Sequence, residues 1–365
     1  MFSDQDFDFM RRALSLAEQS LWTASPNPRV GCVIVSQGRI IGEGWTQPPG
    51  KDHAEIHAIK DAKAKGFSVY NSTAYVTLEP CSHFGRTPPC ADTLINYRIQ
   101  RVIAAMEDPN PQVAGRGLAR LRAAGIQVHC GLLEKEAHTL NIGFVSRMLH
   151  GRPWVRIKIA ASLDGKTALH NGVSQWITGE AARVDGHAWR ARSCAILTGI
   201  GTVRQDDPAM TVRAVNTSRH PLRVLVDSQL SVAPFARILA DRNVLVVCAN
   251  ALPNRIAFFR SLGIELLNLP NADGKVDLPK LIYILGERQV NELHVEAGFK
   301  LSGSLLREKC VDEILTYFAP CLLGDAQGMF NLQAVAELNS RVSLQIHDAR
   351  MIGDDLRILA RVRRT

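Results

Sequence analysis

Three short segments carry residue types that can hold a metal: His53-Ala54-Glu55, Pro80-Cys81 and Cys90. Each prospective ligand follows a loop and stands at or near an expected helix start. A helix N-terminus favours the thiolate, the form of Cys that binds zinc. One neutral imidazole and two thiolates balance Zn²⁺ and leave the fourth tetrahedral position for water, which marks a catalytic site and not a structural one. Glu55 stands two residues from His53 in the same helical turn. There it can face a metal-bound water without ligating, as a general acid/base must. The expected chemistry is hydroxide supplied near neutral pH, with Glu55 passing the proton to a leaving amine.

The joint pattern is that of zinc deaminases, except that Cys90 lies nine residues after Cys81 and not three. Singly, a His-x-Glu reads as a solvated helix start and a Cys as a small buried hydrophobe. The combination with a Pro-Cys loop and a second Cys at a helix start favours the metal.

A second set of candidates lies beyond residue 150. No GxGxxG follows a first strand there, so an ordinary dinucleotide fingerprint is not indicated. Four segments that follow or leave expected strands stand in its place: KIAASLDGKTA (158–168), LTGIGTVRQDDPAMTVR (197–213), VLVDSQ (224–229) and HVEAGFKLSGSLL (294–306). In a mostly parallel sheet such loops meet outside the strand C-termini, where ligands collect. The last runs through Glu296-Ala297-Gly298 into an expected helix with Gly303 and Ser304 in its first turn. Such a helix start offers free N–H groups to a pyrophosphate.

The elements that must position these residues follow from periodicity. In 1–150 we expect a first helix through Met10, Ala13, Leu14, Ala17 and Leu21. A hairpin of 30–35 with RIIGEG follows, then a helix from about His53 to Lys65 and a strand at 73–78. A helix after Pro88-Pro89, a strand at 101–106, a helix near 116–124, a short strand and one helix from Glu134 to Leu149 complete the half. A hairpin plus alternating elements implies a mixed sheet covered by helices on both faces. HGRP at 150–153 breaks the last helix, so domains are placed at 1–150 and 151–365. The second domain is expected to have strands near 154–160, 194–198, 223–227, 243–248, 264–267, 291–295 and 311–318. Helices near 179–192, 252–262, 277–287 and 301–309 lie between them.

The string TLEPCSHFGRTPPC, with SPNPRVGCVIV upstream and EDPNPQVAGRG downstream, resembles the bifunctional riboflavin-biosynthesis deaminase/reductase family. That family uses the longer Cys spacing. The resemblance implies an α/β protein: a cytidine-deaminase-like three-layer α/β/α domain, then a dihydrofolate-reductase-like α/β domain. It implies Zn²⁺ at His53, Cys81 and Cys90 with Glu55 as proton shuttle, and substrate contacts from Asn27 and Arg86. Arg86 suits a ribose phosphate, while His83 reads equally as orienting the ring or the metal shell and as loop packing. For NADPH it implies Ala160, Trp176, Thr202, Asp206, Ser228, Gly298, Phe299, Lys300, Leu301, Ser302, Gly303 and Ser304. For the sugar phosphate it implies Ser174, Arg190, Met210, Arg213 and Glu296. Lys158, on the first strand of this half, is placed to protonate near the carbon that accepts the hydride. Trp154 and Trp189 read as core. Thr46, Arg204-Gln205 and Ala297 depart from the family's usual residues.

Composition bounds the alternatives. The 365 residues are 46% hydrophobic and 21% charged, as in globular chains and unlike disordered ones. No apolar run reaches the roughly 18–20 residues of a membrane span. The acidic start MFSDQDFDFMRR is unlike a signal peptide, and eight scattered Cys read as reduced thiols, so a cytoplasmic protein is expected. A homo-oligomer acting on a small pyrimidine ribose phosphate, binding neither nucleic acid nor membrane, is the leading reading. A nucleic-acid or nucleoside deaminase with a binding C-terminal domain is the alternative. A structural zinc module, with His57 or His83 as fourth ligand, is the third. The net charge of +8 divides as 16 basic against 14 acidic residues in 1–150 and 27 against 21 beyond. It has no Lys/Arg-rich run, which favours local anion capture over nucleic acid.

Overall fold

The computed structural model describes residues 2–82, 89–111 and 113–363. They form two compact units, Met1–Gly151 and Arg152–Thr365. Arg86, Pro88 and His83 lie outside the described residues.

The first unit contains α1 (Asp4–Glu18), β1 (Gly31–Ser36), β2 (Arg39–Trp45), α2 (Ala54–Ala64), β3 (Thr73–Val76) and α3 (Cys90–Asn96). Then come β4 (Arg101–Ala104), α4 (Arg116–Ala123), β5 (Gln127–Cys130), α5 (Glu134–Leu140) and α6 (Ile142–His150). The sheet has the order β2-β1-β3-β4-β5. β1 is antiparallel to β2 and β3, and β3, β4 and β5 run parallel. Neighbouring strand residues face opposite sides, and both faces are used. A Cβ at Gly31 would lie 1.8 Å from the Ala13 carbonyl of α1, and one at Gly44 2.3 Å from the Ala58 amide of α2. Because Gly31 pairs with Trp45 and Cys32 with Gly44, α1 and α2 cover opposite faces, giving helix, sheet and helix layers.

The single helix expected over 134–149 is two, broken at Asn141. The Asn141 side chain leaves helical duty to grip the backbone 112 residues earlier. Its Oδ1 accepts from Arg29 N at 2.7 Å and its Nδ2 donates to Arg29 O at 2.8 Å. This fixes the chain entering β1.

Asp6 anchors α1. It completes a capping box with Ser3, accepts from the Tyr75 hydroxyl at 2.7 Å and pairs with Arg101 at 3.0 Å. Burial opposes its ionisation, but the Ser3 amide, Tyr75 and Arg101 together hold the carboxyl down at about 2. The folded value lies below the unfolded one of about 3.9. The stabilisation is therefore present above about pH 4 and is lost as pH falls through about 2. Asp6→Ala is expected to cost about 3 kcal/mol at neutral pH, leaving Arg101 and Tyr75 without their acceptor. In urea titrations the gap between parent and variant should narrow as the pH is lowered; a constant gap would show that the charge contributes nothing.

The second unit begins with β6 (Trp154–Ser162), β7 (Lys166–Ala168), α7 (Glu180–Arg192), β8 (Ala195–Gly199), α8 (Ile200–Asp206), β9 (Leu222–Val226) and β10 (Val244–Cys248). It continues with α9 (Pro253–Ser261), β11 (Glu265–Asn268), α10 (Leu278–Glu287), β12 (Glu292–Val295), α11 (Phe299–Arg307), β13 (Glu313–Ala319), β14 (Gln327–Gly328), β15 (Leu344–Ile352) and β16 (Asp355–Val362). Nine strands form a sheet in the order β11-β10-β9-β8-β12-β6-β13-β16-β15. It is parallel from β11 to β13, and β16 and β15 are added antiparallel. The ends of β6, β8, β9 and β12 therefore emerge on one side.

This unit differs from the sequence expectation at several places. The β15–β16 hairpin was not expected, because most of β15 is exposed and its apolar residues do not alternate cleanly with polar ones. The stretch after β8 is α8 and not a loop, its N-cap being Gly199. β6 holds Lys158 as expected but runs past the expected end at residue 160 to Ser162, before a tight turn into β7.

One sheet face buries charge. Arg156 is 2% exposed and bridges Glu292 at 3.0 Å and Glu313 at 2.5 Å. Trp189 packs beneath this pair, its ring 4.3 Å from the Arg156 guanidinium and 5.3 Å from that of Arg192. Trp189 is thus core packing, as its sequence context indicated. A buried Arg is tolerable here because both its charge and its donors are matched.

Candidate metal centre and cofactor cleft

His53 is the N-cap of α2, and Glu55 lies in that helix's first turn, 4% exposed. Pro80 turns the chain out of the β3 region so that Cys81 faces the start of α3, whose first residue is Cys90. The Cys90 amide donates to Cys81 Sγ at 3.3 Å. His53 Nδ1 lies 3.2 Å from Cys90 Sγ and 3.6 Å from Cys81 Sγ. All three ligand atoms fall within 4.8 Å of one another.

These distances fit zinc. Tetrahedral Zn–S bonds of ~2.3 Å and Zn–N bonds of ~2.0 Å put neighbouring ligand atoms roughly 3.5–3.8 Å apart, within a few tenths of an ångström of these separations. The electrostatics agree. A hydrogen bond from Cys90 and the nearby His53 ring bring the Cys81 thiol down to about 4, while Cys81 and burial push Cys90 well up. Two thiolates at this separation need a cation between them. Burial raises the Glu55 carboxyl to about 7, with the Cys81 charge adding to the effect. Among the described residues no fourth ligand joins the group. His57 Nδ1 instead accepts from the Trp45 amide at 3.3 Å and faces Gln47 Nε2 at 3.1 Å. His57 stands outside the ligand group, which argues against it as the fourth ligand of a structural zinc module.

Glu79 was not foreseen as a site residue, although it stands in the TLEPC string. It is 3% exposed and accepts from the amides of Asp108, Gly115, Gly117 and Leu118 at 2.7–3.2 Å. A Cβ at Gly117 would sit 2.0 Å from the Pro80 carbonyl. Glu79 and Gly117 thereby tie Asp108 and the start of α4 to the residue preceding Cys81. Asn27 sits on the loop entering β1 and makes no hydrogen bond to the three ligands among the described residues. Thr46 is spent on structure, its Oγ1 accepting from Val30 N at 3.1 Å.

In the second unit Lys158, Ala160, Ser174, Thr202, Asp206, Glu296, Gly298 and Phe299 line one cleft at the strand C-termini. Gln205 and Ala297, two of the departures noted above, line it too, and Thr167, Gln327 and Met329 join them without having been singled out. The last three come from β7 and the β14 region, and the strand pairing that brings them there leaves no local motif. Trp176 is 71% exposed, with the Arg183 guanidinium 4.8 Å over its ring. Ser228 follows β9, and its carbonyl accepts from the Ala249 and Asn250 amides.

α11 starts at Phe299 with Gly298 as N-cap, two residues earlier than expected. Its free first-turn amides belong to Phe299, Lys300 and Leu301. Ser302 and Gly303 are buried, and a Cβ at Gly303 would meet the Asn331 carbonyl at 2.4 Å. That glycine serves packing. Ser304 accepts from Arg307 at 2.9 Å.

Glu296 is gripped by Arg190 through two bonds, of 2.5 and 2.8 Å. Burial opposes its charge, but Arg190 wins and holds the carboxyl well below its usual range. Burial pushes the Lys158 ammonium downward, partly offset by Glu296. Arg190 also donates to the Thr211 carbonyl at 2.9 Å, drawing the loop of Met210 and Arg213 to α7. Met210 is 3% exposed and is part of the core.

One unit thus presents a metal centre beside a buried carboxylate, and the other a cleft rimmed by a helix start, a lysine and an ion pair. This is the architecture of a two-site enzyme. Family models match both halves: the cytidine and deoxycytidylate deaminase zinc-binding region at residues 3–106, and the RibD C-terminal domain at 153–358. Riboflavin biosynthesis protein RibD of Escherichia coli is 45% identical, the match covering 96% of this chain and 98% of that protein. The Haemophilus influenzae protein of the same name is 43% identical, with 98% and 97% covered. The solved structure of Acinetobacter baumannii RibD (form 1) superposes with a TM-score of 0.90 at 38% identity, covering 99% of each chain.

The chain belongs to the RibD family of riboflavin biosynthesis proteins. It is a bifunctional enzyme, a deaminase joined to a reductase, with Zn²⁺ and NADPH as cofactors. No helix among the described residues is long and apolar enough to cross a membrane.

Proposed function

We propose that residues 1–150 deaminate 2,5-diamino-6-ribosylamino-4(3H)-pyrimidinone 5′-phosphate and residues 151–365 then reduce its ribosyl group to ribityl. The observation that carries the first step is the convergence of His53, Cys81 and Cys90 beside buried Glu55. A relative from Thermotoga maritima, 32% identical over 98% of this chain with a TM-score of 0.87, is described as a diaminohydroxyphosphoribosylaminopyrimidine deaminase/5-amino-6-(5-phosphoribosylamino)uracil reductase.

In the deaminase unit His53, Cys81 and Cys90 hold Zn²⁺, which when bound supplies hydroxide near neutral pH. Glu55 takes the proton from the attacking water and returns it to the departing amino group, so ammonia leaves as oxygen enters. Burial suits Glu55 to this exchange, because it brings the carboxyl close to the working pH. Asn27 orients the pyrimidine and Arg86 the phosphate.

In the reductase unit bound NADPH would supply a hydride for ribose C1. Lys158 provides the proton to the oxygen released as the sugar ring opens, and Glu296 keeps that lysine oriented. The amides of Phe299, Lys300 and Leu301 receive the cofactor's pyrophosphate. Ala160, Trp176, Thr202, Asp206, Ser228 and Gly298 through Leu301 shape its cleft, with Ser302, Gly303 and Ser304 supporting the helix behind it. Ser174, Arg190 and Arg213 shape the sugar phosphate site, with buried Met210 packed behind its loop.

All eight cysteines are free thiols, which supports a cytoplasmic setting. The β15 edge, with Leu344, Ile346 and Met351 exposed, supports a homo-oligomer, a state that light scattering measures directly. Mass spectrometry of the pyrimidine substrate tests the reaction order. Without NADPH only the exchange of amino for oxygen should appear; with it, two further hydrogens. Reduction of substrate still carrying both amino groups would refute the order.

A further inference from the structure

The contacts of Arg190 raise a question about how a phosphate is held. Arg190 gives Nε and Nη2 to Glu296 and Nη1 to Thr211 O, so most of its fork is committed to protein. Arg213 is less engaged: its Nη1 donates to the Thr211 hydroxyl at 3.2 Å and its guanidinium is exposed. A single arginine leaves a dianionic phosphate with acceptors to spare.

His187 stands one helical turn before Arg190 on α7, so the two side chains share a face. Its Nδ1 accepts the Arg213 amide at 3.2 Å. A ring nitrogen that accepts an N–H carries no proton, so this neutral imidazole holds its proton on Nε2. Nε2 makes no hydrogen bond among the described residues. The groups around the ring are Arg190 from α7, Arg213 from the loop, Lys158 from β6 and Glu296 after β12. Burial first, then Arg190 and Arg213, bring the ring down to about 4, so it stays neutral at working pH.

We infer that His187 is a substrate-binding residue of the reductase site, donating Nε2–H to the phosphate that Arg213 neutralises. The inference rests on the reading that the substrate phosphate sits at Arg213. On this reading Arg190 chiefly positions Glu296, and the anion is received by a guanidinium and a neutral imidazole.

The test compares reductase kinetics for the deaminated 5′-phosphate substrate and its dephosphorylated riboside, in full-length protein. His187→Leu is expected to raise KM for the phosphorylated substrate about 10- to 100-fold, with kcat little changed. KM for the riboside and affinity for NADPH should not move. His187→Gln, whose side-chain amide reaches the Nε2 position, should recover most of the loss. Equal effects on both substrates, or none, would overturn the inference. Arg213→Ala separates the two readings. If it discriminates phosphate from riboside and His187→Leu does not, only the role of His187 fails. If neither discriminates, the phosphate lies elsewhere and both fail.

Discussion

Replacing Glu55 by Gln is expected to slow deamination by about 10²- to 10⁴-fold while zinc stays bound and NADPH-dependent reduction of deaminated substrate is unchanged. The magnitude follows from the work assigned to this side chain. Glu55 sits in the first turn of α2, two residues beyond His53, and is buried where no bulk water can replace it as a base. Gln preserves volume and hydrogen bonding but cannot carry a proton between water and amine. The three ligands are separate residues, so metal content should remain at one Zn²⁺ per chain. A Gln variant with full activity would dismiss Glu55 as the shuttle. A variant that loses zinc and activity together would show that the carboxylate holds the centre in place and would leave its proton role unsupported. Because every ligand lies in the first unit and every residue of the cleft in the second, the reductase serves as an internal control.

The second large effect concerns the other unit. Lys158→Met is expected to lower the reduction rate about 10²- to 10³-fold with deamination intact. Lys158 lies on β6 in the cleft, beside Glu296 and near the start of α11. Burial already disfavours its charged form, so loss of its proton to substrate meets less resistance than it would at an exposed lysine. Met keeps the aliphatic stem and removes the acid. Single-turnover measurement of NADPH oxidation separates the hydride step from product release. If that step is unaltered in Lys158→Met, Lys158 is only a wall of the cleft.

The metal centre was legible because its chemistry needs particular residue types at particular places, and loops and helix starts supply them locally. His53, Glu55, Cys81 and Cys90 can each be read from their neighbours. The residues that hold this centre were not legible in the same way. Glu79 acts on amides 29–39 residues away, and Asn141 on a backbone 112 residues away. No local pattern distinguishes them from an ordinary acid before a proline or an ordinary polar residue in a helix. The cleft shows the same division. Glycine-bearing turns after strands pointed to its rim, but Gln327 and Met329 arrive by pairing of β14 with β7, about 160 residues apart. His187 was missed because its helix gives no sign that a partner waits on the loop of Arg213. The β15–β16 hairpin was missed because an edge strand that faces water on both sides lacks a hydrophobic period.

The close approach at Gly44 has a genetic corollary. Ala54 and Ala58 of α2 leave no space there for even a methyl group; a Cβ would lie 2.4 Å from the Ala54 carbonyl. Helices move as rigid rods more readily than they bend, so an alanine at this position displaces the whole start of α2. His53 and Glu55 travel with it. A lesion on a strand that carries none of the grouped ligands would then look, in a complementation screen, like simultaneous damage to a metal ligand and to a base. Cells carrying it would retain the second reaction but starve for its input. Mapping such alleles onto chemistry by proximity alone would misassign them.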